Sequence, residues 1–236
     1  MRRDRLIERA PSLIIACDVD SLTRLDLIAE AAARTPNIGG LKVGLSLVCR
    51  YGMDRVAGRI RERTSVRIIY DQQKAGTDIP DLAKELVAIV APIDAVIIFP
   101  MAGPETQRAY TSALQDAGKT VLVGATMTHA RYLESDGGYI AASAPRRILE
   151  LATSMNVRDF VVPSTKPEAI VEHRKVIEEV LAEGDYDLYS PGLVAQGGAV
   201  SELRNAAGPR WHAIVGRAVY ASSDPAAAMA DLSQNM

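Results

Sequence analysis

Cysteine is scarce in this sequence, which contains only Cys17 and Cys49 among its 236 residues. Both lie in apolar stretches, and neither belongs to a C-x-x-C or similar metal-ligand spacing. We therefore expect two free, buried thiols and neither a disulfide nor a metal pair, as is usual in a reducing compartment such as the cytoplasm.

Long apolar runs and an excess of one charge are also missing. No apolar stretch reaches the ~18 residues of a membrane-spanning helix, and no apolar segment follows the basic start of the chain as in a signal peptide. The 27 Lys and Arg nearly balance the 29 Asp and Glu, so no broad positive field attracts nucleic acid or an anionic membrane. We expect a soluble cytoplasmic protein, with neither of these partners, that captures any anion at a local site.

Motifs for metals and dinucleotides are absent too. The sequence has no H-E-x-x-H, no C-x-x-C and no run of carboxylates, and it therefore predicts no metal site and no cofactor. No G-x-G-x-x-G follows the first apolar run, which disfavours a Rossmann-like sheet, the alternative fold.

The sequence does contain eight short apolar runs rich in β-branched residues, most of them followed by a stretch with helical periodicity. The predicted strands are residues 12–17, 39–43, 66–70, 95–99, 120–125, 159–162, 187–189 and 213–215. The predicted helices are residues 22–34, 79–90, 104–117, 145–155 and 167–181, with Asp78 and Ser164 or Thr165 as N-caps. The repeat of about 30 residues is that of one βα unit.

This pattern favours a closed (β/α)₈ TIM barrel, an α/β fold, because closure leaves no edge strand. With 48% hydrophobic residues, the chain can bury one core, and we expect residues 1–236 to form a single domain. In such barrels the active site lies at the carboxyl ends of the strands. The candidate site residues at these ends are Asp18, Lys42, Asp71, Lys74, Asp78, Thr128, Pro191, Gln196, Gly216 and Arg217.

The charges at these strand ends have two interpretations. Lys42 lies inside a strand, where it cannot easily reach water and needs a counter-charge, for which Asp18 is the first candidate. The two residues form either part of a site or a structural ion pair. Asp71, Lys74 and Asp78 place one ammonium between two carboxylates, either in an ordinary surface loop or in a preorganised electrostatic array.

The last strand leads into a candidate phosphate site. Gly216 and Arg217 precede a short helix at 218–220, so backbone N–H groups converge beside a guanidinium. The preceding loop, 190–198, is rich in glycine, which lets a ligand approach the backbone. Either loop alone could be a simple chain reversal, but two adjacent ones favour phosphate binding.

The three histidines are expected to be structural. His129 is interpreted as a hydrogen-bonded loop residue in preference to a general base, because nothing near it in sequence orients it. His173 falls in a predicted helix and His212 lies next to Trp211 before the last strand.

The motifs, in their order along nearly the whole chain, resemble the orotidine 5′-phosphate decarboxylases in their short, archaeal-like form. The resemblance is carried by Asp18, Lys42, segment 71–80, S-P-G-x-x-A-Q-G-G at 190–198, V-G-R at 215–217 with Tyr220, and the sixth strand and turn at 160–168. It implies a cofactor-free decarboxylation of orotidine 5′-phosphate to UMP in pyrimidine biosynthesis, by a homodimer.

The resemblance also implies a role for each site residue. Asp18 and Lys42 would bind the ribose, and Lys42 would join the catalytic array of Asp71 and Lys74 beside the scissile carboxylate. Asp78 would enter the neighbouring subunit's site. Thr128 would contact the base, Gln196 would bridge the base and the phosphate, and Pro191 would bind the substrate as well. Gly216 and Arg217 would bind the phosphate.

The sequence departs from the family pattern D-x-K-x-x-D-I-P by one extra residue before Lys74 and one after it. Residues i and i+3 do not share a face of a strand, so Asp71 and Lys74 can meet only if the chain bulges at Gln72 or Gln73. Thr128 replaces the usual serine, and Leu82 stands where threonine is common. Two alternatives remain open: a hexulose-phosphate-synthase-type lyase, which uses magnesium, and a non-catalytic nucleotide-binding protein.

Overall fold

Eight parallel strands form a closed barrel in sequence order. The structure is a computed structural model that describes residues 5–71, 78–192, 197–234 and 236. The strands are β1 (Ser12–Cys17), β2 (Ile38–Val43), β3 (Arg67–Asp71), β4 (Ala95–Ile98), β5 (Thr120–Gly124), β6 (Asp159–Val161), β7 (Asp187–Pro191) and β8 (Trp211–Val215). Pairing of β1 with β8 closes the barrel, and the predicted TIM-barrel fold is confirmed.

Helices surround the barrel. They are α1 (Leu22–Arg34), α2 (Leu45–Tyr51), α3 (Met53–Arg61), α4 (Ala83–Ile89), α5 (Pro104–Asp116), α6 (Ala144–Ser154), α7 (Pro167–Glu178), α8 (Gly197–Ala207), α9 (Arg217–Tyr220) and α10 (Pro225–Gln234). Short 3₁₀ turns occur at Pro80–Leu82 and Glu134–Asp136. Within the described residues, no helix combines the length and the apolar character needed to cross a membrane.

The strands alternate between two apolar layers, since successive side chains of a strand point to opposite faces. The barrel interior holds a compact cluster that includes Ile14, Ile69, Ile97, Leu122, Tyr189 and Ile214. The residues between them in sequence pack outward against the helices, as Ile15, Ile68 and Val96 do. This alternation decides which residues point into the mouth where the strands end.

The amino-terminal segment closes the floor of the barrel. Leu6 and Ile7 join the interior cluster, and the Arg5 guanidinium donates to Asp187 at 2.9 Å. His212, fully buried, bridges Asp187 at 3.1 Å and Ser12 at 2.7 Å. His212 therefore has the structural role that its sequence position predicts, far from the carboxyl ends of the strands.

Several element boundaries and one burial prediction were wrong. Strand β3 is shifted by one residue and ends at Asp71, and β7 extends to Pro191. The helix predicted at 79–90 begins as a 3₁₀ turn and becomes α-helical only at Ala83, where the N–H groups after Pro80 find partners. Cys17 is buried as expected, but Cys49 lies on the outer face of α2 and is exposed.

The predicted N-caps were also wrong. Asp78 Oδ1 accepts from the N–H of the adjacent Ile79 at 2.7 Å, and Ile79, not Asp78, is the N-cap of the 3₁₀ turn. Lys166 is the N-cap of α7, and the hydroxyls of Ser164 and Thr165 bind carbonyl groups of neighbouring strand ends instead. For each hydroxyl, a backbone carbonyl of an adjacent segment is thus preferred to a local N-cap bond.

Candidate active site

The inward alternation of the strands continues into the mouth of the barrel. Lys42 lies two residues after Gly40, and Asp71 lies two after the interior residue Ile69. Phe99 is reached in the same way, and its ring lies against Gly124, where a Cβ atom would overlap it. The mouth is therefore charged at the ends of β2 and β3 and apolar at the ends of β4 and β5.

Lys42 is the centre of the charged side. Its Nζ lies 2.6 Å from Asp71 Oδ2 and 3.7 Å from Asp18 Oδ1. The side chains of Lys42 and Asp71 are only 8% and 9% exposed, whereas that of Asp18 is 44% exposed. Asp18, the partner expected from the sequence, is thus the outer and weaker of the two, because β3 presents Asp71 directly beside Lys42.

Burial and charge act in opposite directions on this lysine. Burial disfavours the ammonium, but the carboxylates of Asp71 and Asp18 outweigh it and raise the pKa of Lys42 above its ordinary value. Burial also raises the pKa of the neighbouring Cys17 thiol to about 12. The site therefore holds a fixed ammonium beside two carboxylates, and Cys17 is a neutral thiol at physiological pH.

On the opposite side of the mouth, hydrogen bonds to backbone carbonyls join the loops after β5, β6 and β7. Ser164 Oγ donates to the carbonyl of Pro191 at 2.7 Å, and Thr165 Oγ1 donates to that of Thr128 at 3.2 Å. Gly192 adopts φ +93°, and a Cβ there would lie 3.1 Å from Ser164 Oγ. Thr128 and Pro191, both predicted to contact a ligand, are thereby brought to one place.

The candidate phosphate residues lie next to the charged side. Gly216 directly follows β8 as the N-cap of α9 and packs near Ala16 of β1, since a Cβ atom placed on it would lie 3.4 Å from the Cβ of Ala16. Arg217 follows as the first residue of α9, and its side chain is exposed. The structure thus places an exposed guanidinium and a close backbone approach at the same strand end.

Residues 11–232 match the family described as "Orotidine 5'-phosphate decarboxylase / HUMPS family". The chain belongs to this family. It is 30% identical to orotidine 5'-phosphate decarboxylase of Methanosarcina mazei over 98% of this chain and 97% of that protein, and 31% identical to that of Methanosarcina barkeri over 93% and 91%. The resemblance inferred from the motifs, and with it the predicted enzyme class of the family, is confirmed.

Solved structures show the same fold. The structure of orotidine 5'-monophosphate decarboxylase from Methanocaldococcus jannaschii with the inhibitor BMP superposes with a TM-score of 0.80, covering 96% of this chain and 99% of that one at 23% identity. The protein from Pyrococcus horikoshii gives a TM-score of 0.76 at 24% identity. At these identities the likeness concerns the barrel itself.

Asp78, the second carboxylate of the family motif, lies apart from Lys42 in this subunit. Its carbonyl accepts from Thr106 Oγ1 at 3.0 Å, and its carboxylate, secondary to burial, raises the pKa of Tyr110. Both partners belong to α5, and no contact among the described residues joins Asp78 to Lys42 or Asp71. The exposed Asp78 side chain is available to a neighbouring molecule.

Two stretches of the family motifs, residues 72–77 and 193–196, lie outside the described residues, and they contain Gln72, Gln73, Lys74 and Gln196. The expected bulge between Asp71 and Lys74 stays a prediction for that reason. Across the residues that the structure does describe, no three His, Cys, Asp or Glu side chains form a group that could hold a metal ion.

Sequence reasoning missed the residues that join the loops after β5, β6 and β7 on the side of the mouth opposite Lys42. Ser164 and Thr165 were interpreted as caps, and Lys166, whose Nζ donates to the His129 carbonyl at 2.9 Å, was not considered. The signal was their position directly after β6, at the same barrel end as the other candidates. His129 itself is exposed and contacts the Tyr132 ring edge-on, which fits a structural loop residue.

Proposed function

We propose that this family member is a single-domain cytoplasmic enzyme that decarboxylates orotidine 5′-phosphate to UMP without a cofactor. In this proposal the catalytic array consists of Asp71, Lys74 and Asp78. The observation that carries the proposal is the buried Lys42–Asp71 pair in the barrel mouth, with Asp18 as a second carboxylate. Charges fixed in this way need no reorganisation during reaction. The family membership of the chain gives the array its substrate class.

The chemistry requires a cation at the reacting carbon. When the bond between the ring and its carboxylate breaks, carbon dioxide leaves and the electron pair remains on the ring carbon. Lys74 pairs with that carbanion and then donates the proton that replaces the carboxylate. Asp71 and Asp78 keep the lysine charged and oriented, and Lys42 holds Asp71 in place through their 2.6 Å contact.

The remaining candidates bind the nucleotide away from the reacting carbon. Asp18 and Lys42 bind the ribose hydroxyls, and Gly216 and Arg217 bind the phosphate. Thr128, Pro191 and Gln196 contact the base, Gln196 reaching the phosphate as well. Binding energy gained at the remote phosphate can orient the ring against the charged array.

The active site is shared across a homodimer in this proposal. Among the described residues Asp78 contacts Ile79 and Thr106 but neither Lys42 nor Asp71, and in this proposal it completes the array of a neighbour. Two exposed apolar side chains follow it closely, Ile79 at 58% and Leu82 at 38% exposure, and Met101 is 36% exposed. Apolar side chains exposed beside a needed carboxylate are what an isologous contact would cover.

Purified protein in excess EDTA should consume orotidine 5′-phosphate, followed by its absorbance, and release UMP. Lys74→Ala protein, purified in parallel, is the matched control for contaminating host enzyme. EDTA separates this reaction from a magnesium-dependent lyase of the same family. Absence of turnover in the wild-type protein, or equal turnover in the control, would contradict the proposed function.

A further inference from the structure

The turn between β6 and α7 reaches two neighbouring segments, the loop after β5 and the end of β7, with three consecutive side chains. Ser164 Oγ donates to Pro191 O at 2.7 Å, Thr165 Oγ1 to Thr128 O at 3.2 Å, and Lys166 Nζ to His129 O at 2.9 Å. All three acceptors are backbone carbonyls. These bonds therefore fix the path of the loop after β5 and the end of β7, whatever side chains those segments carry.

A fourth contact holds the root of the same loop. His173 of α7 lies within 3.0 Å of Thr126 Oγ1 through its Nε2, and both residues are only 4% exposed. Thr126 is two residues before Thr128. The loop after β5 is thus bound at two places: by α7 in the interior of the fold and by the turn at the mouth of the barrel.

The fit between these loops leaves little free space. A Cβ at Gly192 would lie 3.1 Å from Ser164 Oγ, 3.5 Å from Thr165 Cγ2 and 3.6 Å from Thr128 Cγ2. The glycine at φ +93° lets the end of β7 pack directly on the turn. A displacement of the turn is therefore transmitted to both segments that carry candidate base contacts.

We propose that Thr165 and Lys166, supported by Ser164 and His173, are positioning residues that hold the loop after β5 in the place where Thr128 meets the base of the nucleotide. The side chains of Thr165 and Lys166 both bind backbone carbonyls of this loop. Their effect on affinity therefore concerns the contact that Thr128 makes with the base. The phosphate residues Gly216 and Arg217 follow a different strand and do not depend on the turn.

The inference rests on the proposed function, because it requires a nucleotide whose base lies at Thr128. Its test compares UMP with ribose 5-phosphate, two ligands that share the ribose phosphate, of which only UMP carries a base. Both dissociation constants are measured by calorimetry for the wild-type protein and for Thr165→Val, Lys166→Met and the double variant.

The double variant should bind UMP about ten-fold more weakly, since it loses two partly exposed hydrogen bonds and each costs roughly a factor of three. Its affinity for ribose 5-phosphate should stay within two-fold of wild type, because a substitution away from the phosphate site should change the binding free energy by less than about 0.5 kcal/mol. Thr165→Ser and Lys166→Arg keep the donors and should restore UMP binding. Lys175→Met, on the exposed face of the same helix, is the control for losing a lysine.

The inference is overturned if the variants bind both ligands as wild type does, or if both affinities fall by the same factor. If the double variant does not fold, Lys166→Met alone decides between these outcomes, because only one surface contact is removed. If the wild-type protein decarboxylates the substrate and the variants give one of these two results, only the positioning role is refuted. A wild-type protein without turnover refutes the proposed function itself.

Discussion

Lys42 Nζ and Asp71 Oδ2 form a 2.6 Å ion pair between two adjacent strands, with side chains only 8% and 9% exposed. Removing Asp71 leaves the buried Lys42 ammonium with only the more exposed Asp18, 3.7 Å away, and breaking a buried pair typically costs more than the pair contributes. We expect Asp71→Asn to lower the free energy of unfolding by about 3 kcal/mol, as measured by urea denaturation.

The matched control for this prediction is an exposed pair of the same length. Lys175 Nζ and Glu172 Oε1 also lie 2.6 Å apart, but their side chains are 64% and 67% exposed. Glu172→Gln should change stability by less than about 0.5 kcal/mol. Equal losses in the two variants would show that burial does not decide the energetics of the Lys42 pair.

Lys74 and Arg217 should affect different steps. Lys74→Ala should abolish turnover and leave UMP binding largely intact, because the lysine acts on the reacting carbon. Arg217→Ala should weaken UMP binding by about ten- to a hundred-fold, the cost of a charged hydrogen bond, and it should also lower kcat if binding energy at the phosphate orients the ring. Comparable kcat values for wild type and the Lys74 variant would disprove the assignment.

Arg108→Ala provides the control for Arg217. Arg108 is 55% exposed on α5, paired loosely with Glu105 at 3.9 Å. Loss of its charge should leave UMP binding unchanged. A similar loss of affinity in both arginine variants would mean that overall charge, and not a phosphate site at the end of β8, explains the effect.

His173 should make stability depend on pH. Burial lowers the pKa of His173 from 6.5 to about 4, so the folded protein holds it neutral while the unfolded chain protonates at higher pH. Its contribution is complete above about pH 6.5 and is lost as the pH falls towards 4, up to about 3 kcal/mol. His173→Gln should lose less stability than wild type between pH 7 and pH 4, measured by denaturation at each pH. If His173→Gln and wild type instead lose stability in parallel over this range, another buried group must cause the dependence.

Subunit mixing tests the shared site. Inactive Asp78→Asn subunits mixed with inactive Lys74→Ala subunits should regain activity, because random pairing gives heterodimers in which one of the two sites has both native residues. Activity should approach one wild-type site per heterodimer. If mass measurements confirm exchange and the mixture remains inactive, Asp78 does not act in trans.

The sequence by itself determined the barrel and the position of its active end. Eight β-branched runs at βα spacing predicted the closed parallel sheet, and the residue closing each run predicted Lys42, Asp71 and Gly216 at the mouth. These predictions succeed because alternation along a strand and the common direction of parallel strands are local rules. The ordered motifs were specific enough to indicate the family.

Only the tertiary structure decided which of these residues meet. The pairing of Lys42 with Asp71 in preference to Asp18 follows from the register between β2 and β3, which the sequence does not state. The hydroxyls of Ser164 and Thr165 satisfy caps in a local interpretation, but carbonyls of other strand ends lie within their reach once the barrel closes. Contacts between residues far apart in sequence depend on closure of the whole sheet, and no local pattern encodes them.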